Sequence, residues 1–170
     1  AAVSVLAMDI EDEVLARQCA EAGGDHPDAL TTLGLLILGE SRLDEAMALF
    51  VQAEATRPNS PRALIGLGLA SLAGGDPSAA GGMLDRGAEI FGDHLGSWIA
   101  SGWAYLLAGD AVLARARFDR ALQIDETFSE CHGSLAVLDV LGGKTEEAQR
   151  KCAVALRLDR QCFSASFAQI

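Results

Sequence analysis

The stretch WIASGWAYLLAGDAVLARARF, Trp98–Phe118, decides the fold. It holds two apolar helical patterns broken at Gly109-Asp110. Trp98, Gly102 and Tyr105 mark the first pattern, and Ala114 and Phe118 mark the second. Stepping outward by 34 residues in both directions finds the same residue types again. Ala114 belongs to a column with Ala46, Ala80 and Ala148. Four residues after each lies Phe50, Leu84, Phe118 or Cys152, and three further on lies Ala53, Gly87, Ala121 or Ala155. Upstream run a small column of Gly34, Gly68, Gly102 and Ala136, then Leu33, Leu67, Ser101 and Leu135, then Leu30, Leu64, Trp98 and His132. Columns in one frame over four successive windows signal a repeat architecture.

Each column has a physical role. Small residues such as Gly34 and Ala46 allow two antiparallel helices to approach closely. Large residues such as Leu30 and Phe50 fill the space around that contact. Gly75, Gly109 and Gly143 suit the turns, because glycine enters the left-handed region without penalty. Ser60-Pro61 and Asp76-Pro77 read as an N-cap followed by the first helical residue. The pattern predicts helix pairs at 28–40 with 44–56, 62–74 with 78–90, 96–108 with 112–124, and 130–142 with 146–158.

The chain resembles the tetratricopeptide repeat family, whose 34-residue unit reads W-x2-L-G-x2-Y, then A-x3-F, then P. WIASGWAY matches at Trp98, Gly102 and Tyr105, with Ser101 in place of Leu. AMALF matches at Ala46 and Phe50, and Pro58 closes that repeat. Departures are Gly87 for Ala, His132 for an aromatic residue, and missing closing prolines in the later repeats. The resemblance implies an all-α fold, a right-handed α-solenoid of antiparallel helix pairs. It divides the chain into an N-terminal helical segment at 1–26 and four repeats at 27–60, 61–94, 95–128 and 129–162. The remaining 163–170 then starts a further helix.

Composition narrows the function. The 170 residues are half hydrophobic, with a formal net charge of -11. A nucleic-acid binder needs a basic patch, and none is visible. Anionic membrane surfaces are disfavoured for the same reason. No apolar run approaches the ~20 residues of a membrane span. Cys19, Cys131, Cys152 and Cys162 show no CxxC spacing and read as reduced thiols of a cytoplasmic protein, with a periplasmic location left open. Cys152 is expected to be buried, and Cys162 to react sooner.

Catalytic constellations are missing. His26 sits beside Pro27, His94 lies between repeats, and His132 occupies a packing column. Cys131 and His132 point about 100° apart on a helix, a poor thiolate–imidazole couple. Gly81-Gly82 lacks a phosphate-loop Lys. No enzyme activity, cofactor or metal is expected. Arg115 and Arg117 read as an exposed helix face able to rim a partner site.

The first helices carry an additional apolar stripe. Thr31, Leu35 and Leu38 recur as Ile65, Leu69 and Leu72, then Ile99, Trp103 and Leu106, then Gly133, Val137 and Val140. The resemblance implies that this stripe lines a concave groove, with Trp103 its best anchor. Contiguous bare apolar surface on this scale is unusual in a soluble monomer. Packing between neighbouring helices, or filling by the chain's own C-terminal segment, is the competing explanation. Some family members clamp chaperone C-terminal carboxylates with Lys, Asn and Arg. Here Arg62 is the one basic residue near the wall, which argues against that clamp.

The ends complete the reading. MDIEDEVLARQCAEAGGDHP reads as one helix ended by Gly23-Gly24, with Val14, Leu15 and Cys19 packing on the first repeat. FSASFAQI reads as the start of the next first helix and AAVSVLAMD as an excised start, so the chain is expected to be a piece of a longer array. The expected partner is a protein or peptide with an apolar segment. A bacterial chaperone or secretion-assembly factor suits that reading. The rivals are a recruiting or regulatory arm of a larger enzyme, such as a glycosyltransferase or sulfotransferase, and a self-associating module.

Overall fold

The computed structural model describes residues 1–169 and contains eleven α-helices among them. The chain divides into two compact units, Ala1–Phe91 and Gly92–Ile170. The first holds α1 (Ala2–Asp9), α2 (Glu13–Gly23), α3 (Pro27–Gly39), α4 (Leu43–Thr56), α5 (Pro61–Ala73) and α6 (Pro77–Phe91). The second holds α7 (Leu95–Leu107), α8 (Ala111–Ile124), α9 (Ser129–Leu141), α10 (Thr145–Leu158) and α11 (Phe163–Ala168).

Local chemistry sets the boundaries. Asp76 accepts the Ala79 N–H at 3.0 Å and Asp110 accepts the Leu113 N–H at 2.9 Å, so each carboxylate satisfies an orphan donor at a helix start. His94 does the same for the Ser97 N–H at 3.2 Å. Each short turn inside a pair needs one left-handed residue. Gly75, Gly109 and Gly143 supply it at φ 81°, 86° and 72°. Ser41 occupies the equivalent place after α3 at φ 63°.

In the first unit, α3 packs on α4 and α5 on α6, and α5 also lies against α4. Phe50 on α4 is fully buried. Its ring rests on Gly34 of α3, where an added Cβ would stand 2.6 Å from Cε1, and on Gly66 of α5. One aromatic ring thus fills the space that two glycines open. Burial of such a side chain is worth about 1.5–3 kcal/mol. Leu84 repeats the arrangement against Gly68. In the second unit, α7 packs on α8 and α9 on α10, and Phe118 rests on Gly102.

The N-terminal segment departs from expectation. It forms an antiparallel pair, not one helix. The chain turns between Asp9 and Glu13, with Glu11 at φ 59°, and Asp12 caps α2 by accepting the Leu15 N–H at 3.0 Å. Both helices pack on α3. Ala7, Ala16 and Leu36 form their small core. Val14 and Leu15 were expected to make this contact, but they are exposed. The alanine face won because small side chains let α2 approach α3 closely.

Candidate binding surface

In the first unit the stripe residues lie on α3 and α5. Leu35, Leu38, Ile65, Leu69, Leu72 and Arg62 are half-buried. Leu35 and Leu38 rest on a core of Ile37, Ala46, Phe50 and Ala70 and keep part of their surface outward. Ile65 turns its Cδ1 toward Gly87 of α6, where an added Cβ would stand 2.7 Å away, so part of it serves the helix pair. Thr31 is fully buried, and its hydroxyl donates to the Asp28 carbonyl at 3.1 Å. It is a packing residue, which corrects its reading as part of an open wall.

In the second unit Ile99, Trp103 and Leu106 are half-buried against Ala114, Phe118, Leu135 and Leu138. Trp103 donates its indole N–H to Ser134 Oγ at 3.1 Å. Two rings stand edge-on to it with centroids 6.1 Å away, Phe118 and Phe167. The second belongs to α11, which lies on α9. Gly133 makes this seat possible, since a Cβ there would stand 2.6 Å from the Ala165 nitrogen. Val137 is buried at 3% exposure, so it too is corrected from wall to interior, while Val140 is 44% exposed.

Two polar features of this unit went unread in the sequence. The Glu130 carboxylate accepts the backbone N–H of Phe163 at 2.7 Å and of Ser164 at 3.2 Å, capping α11 from α9. Asp139, 2% exposed, accepts from Arg115 at 2.5 Å and from Lys151. Burial alone would raise its carboxyl pKa, but the two hydrogen bonds and cationic charges outweigh burial and hold it below the usual range. A lone acid inside the apolar run VLDVL was the available signal, because a buried charge requires partners. Arg115 is thereby committed to Asp139, and Arg117 lies over the Tyr105 ring at 5.8 Å. Neither is the free rim residue expected from the sequence.

The thiols are suited to packing. Burial, aided by the Asp125 charge, pushes the Cys131 thiol up to about 12, far from a nucleophilic thiolate at neutral pH. Burial also raises Cys152 and Cys162. Cys162 is fully buried, against the expectation that it reacts early, because it sits where α11 turns onto α9. His132 shares its Nε2 with the Glu126 carbonyl at 2.8 Å. Among the described residues no group of three or more His, Cys, Asp and Glu side chains is arranged to hold a metal, and no helix is long and apolar enough to cross a membrane.

Antiparallel helix pairs of fixed period, packed small-on-large, define a helical-repeat protein, a class that presents extended binding surfaces to partners. The tetratricopeptide repeat profile matches residues 37–98. That segment of the chain is similar to the tetratricopeptide repeat family, and the whole chain shares the fold of solved tetratricopeptide repeat structures. A crystal structure of MamA is similar at 17% identity and TM-score 0.73, covering 94% of this chain and 95% of that one. Residues 41 to the end of MamA from Desulfovibrio magneticus RS-1 give 16% identity and TM-score 0.74, with 94% and 92% covered. YrrB, described as a tetratricopeptide repeat protein with an unusual peptide-binding site, gives 16% identity and TM-score 0.72, with 98% and 88% covered. No curated protein sequence matches the chain significantly.

Proposed function

We propose that the chain is a non-catalytic protein-interaction scaffold that holds an apolar peptide or helix against the first helices of its pairs. The observation that carries this reading is the wall of the first unit. Leu35 and Leu38 rest on a packed core, and they, Leu69 and Leu72 are all left half-buried, with Arg62 the one cation of the stripe. A ligand there gains mainly from apolar burial, about 1.5–3 kcal/mol for each side chain fully covered. In the second unit α11 lies against Trp103, so the open wall of the first unit is the better seat. The peptide-binding site named for YrrB supports the same use of this fold. A chaperone or assembly factor that shields an apolar segment fits this chemistry.

Selection of peptides from a random display library on the purified protein tests the reading. Selected peptides should carry apolar anchors at helical spacing and bind with a negative heat-capacity change. Replacing Leu35 and Leu69 by Gln should weaken them more than tenfold while helix content survives. Highly charged winners whose affinity collapses in moderate salt, or apolar winners indifferent to both substitutions, would overturn it.

A further inference from the structure

The second unit has a hollow at a place that the first unit fills. It lies between the start of α8 and the turn from α9 to α10, has a volume of about 300 Å³, and is lined by Ala111, Val112, Arg115, Leu138, Gly142 and Lys144. Two periods earlier, Leu43 and Met47 stand at the positions of Ala111 and Arg115. Both rest on the core of Ile37, Ala46, Phe50 and Ala70. A Cβ added to Gly74 would stand 3.3 Å from Leu43 Cδ2, whereas one added to its counterpart Gly142 meets only backbone atoms. Alanine is too short to fill the place, and Arg115 turns to the buried Asp139. The space left open is that of a leucine side chain.

The edge around the hollow is apolar as well. Leu107 and Leu141, the last residues of α7 and α9, are 65% and 68% exposed, and Val112 is 80% exposed. Ala111 and Val112 share the hollow with Gly142 and Lys144, so the two turns stand side by side. One and two periods earlier, Leu107 corresponds to Ala73 and Gly39, and Val112 to Ser78 and Asp44. The helix pairs therefore form without a large apolar residue at either place.

Charge and size select the occupant. Lys144 is exposed and enters no ion pair among the described residues, and no acid lines the hollow. Asp110 is occupied in capping α8, and Glu146 pairs with Arg150. Arg115 adds nothing to the count, since Asp139 holds it. A carboxylate beside an apolar anchor would thus find the Lys144 ammonium as its partner. A stable dimer buries about 800 Å² on each partner. Even a whole aromatic side chain buries only about 150–250 Å², so three aliphatic ones suit a short segment better than a second copy.

We propose that this edge docks a short acidic segment of a partner protein. One leucine-sized side chain fills the hollow, and a neighbouring carboxylate meets Lys144. The surface belongs to the second unit and is independent of the wall of α3 and α5.

Titration of the isotope-labelled whole chain, read from its amide resonances, supplies the test. Two pools of short capped peptides, each with a central leucine, differ only in their flanks, Asp and Glu in one, Lys and Arg in the other. The acidic pool should move the amides of Val112, Gly142 and Lys144, and the basic pool should not. Ala111→Leu, which restores the residue of the first unit, should weaken the acidic pool by about tenfold or more while helix content survives. If that variant loses helix, Val112→Glu at an exposed position takes its place and should repel the same pool. Lys144→Glu should transfer the preference to the basic pool. Leu35→Gln with Leu69→Gln should leave these results unchanged, which separates this site from the wall. Equal shifts with both pools, no shift at millimolar peptide, or a folded Ala111→Leu chain that binds as before would each overturn the proposal. Movement of the same amides with protein concentration alone would place a second copy on the edge and overturn it too.

Discussion

The Phe167 ring stands edge-on to Trp103 at 6.1 Å between centroids and 73° between planes. Such a pair is worth about 0.5–1.5 kcal/mol beyond its buried area. Ser164 and Ser134 share a hydrogen bond of 3.2 Å beneath it, and Glu130 caps the same helix. A six-residue helix is too short to persist alone in water. These contacts are what hold it.

Phe167→Ala should therefore loosen α11 and open Trp103 to solvent. Trp98 is only 6% exposed and gives a nearly constant background. Trp103 emission should shift to the red and become easier to quench with acrylamide, at a stability cost of about 1 kcal/mol. Unchanged quenching would show that the ring pair does not form in solution.

Asp139 gives the second half of the chain a pH dependence. Its folded pKa lies below the unfolded value of about 3.9, so its contribution is complete at neutral pH. That contribution disappears as pH falls through the depressed folded value. Urea unfolding from pH 7 downward should show a loss of stability below about pH 4 that Asp139→Asn flattens. At pH 7, Arg115→Ala with Lys151→Ala should cost about 3–5 kcal/mol, because a buried carboxylate is left without a cation. A neutral double variant would mean that Asp139 is not buried as described.

The repeat pattern made the pairing of helices legible from α3 to α10. The expected 62–74 and 78–90 became Pro61–Ala73 and Pro77–Phe91, because Ser60-Pro61 and Asp76-Pro77 are local signals that act where they stand. The break between α1 and α2 was not legible. Its turn places a glutamate at positive φ, a conformation that Glu does not advertise. Docking of α11 was not legible either, since Phe167 meets Trp103 across 64 residues of chain and no local pattern encodes that contact. For the wall, residue type was readable but depth was not. Thr31 and Val137 share the periodicity of Leu35 and Leu69, yet neighbouring elements enclose them.

Three of the four turns that join α3 to α4, α5 to α6, α7 to α8 and α9 to α10 place glycine at positive φ, and one places Ser41 there. A side chain in the left-handed region costs about 1–2 kcal/mol. Replacing it with glycine returns some of that gain through the added freedom of the unfolded chain, about 0.5–1 kcal/mol. Ser41→Gly should raise stability by up to about 1 kcal/mol, and Gly109→Ala should lower it by about as much. Equal and opposite shifts in urea midpoint are the expected observation. Destabilisation by Ser41→Gly would remove the strain at this turn from the account.

Thiol labelling separates the cysteines by depth. Cys19 is half-buried, whereas Cys131, Cys152 and Cys162 are buried. The thiolate is the reacting species, and burial raises the pKa of the last three. Under native conditions a disulfide reagent should modify one thiol quickly, and mass mapping should place it at Cys19. The other three should react only as the protein opens, so their rates should rise with urea along with unfolding. Phe167→Ala should accelerate Cys162, which sits at the start of α11, and Cys152, whose Sγ lies 3.8 Å from the Ala165 carbonyl, while leaving Cys19 unchanged. Uniform acceleration of all four thiols would mean that the variant loosens the whole chain and not α11 alone.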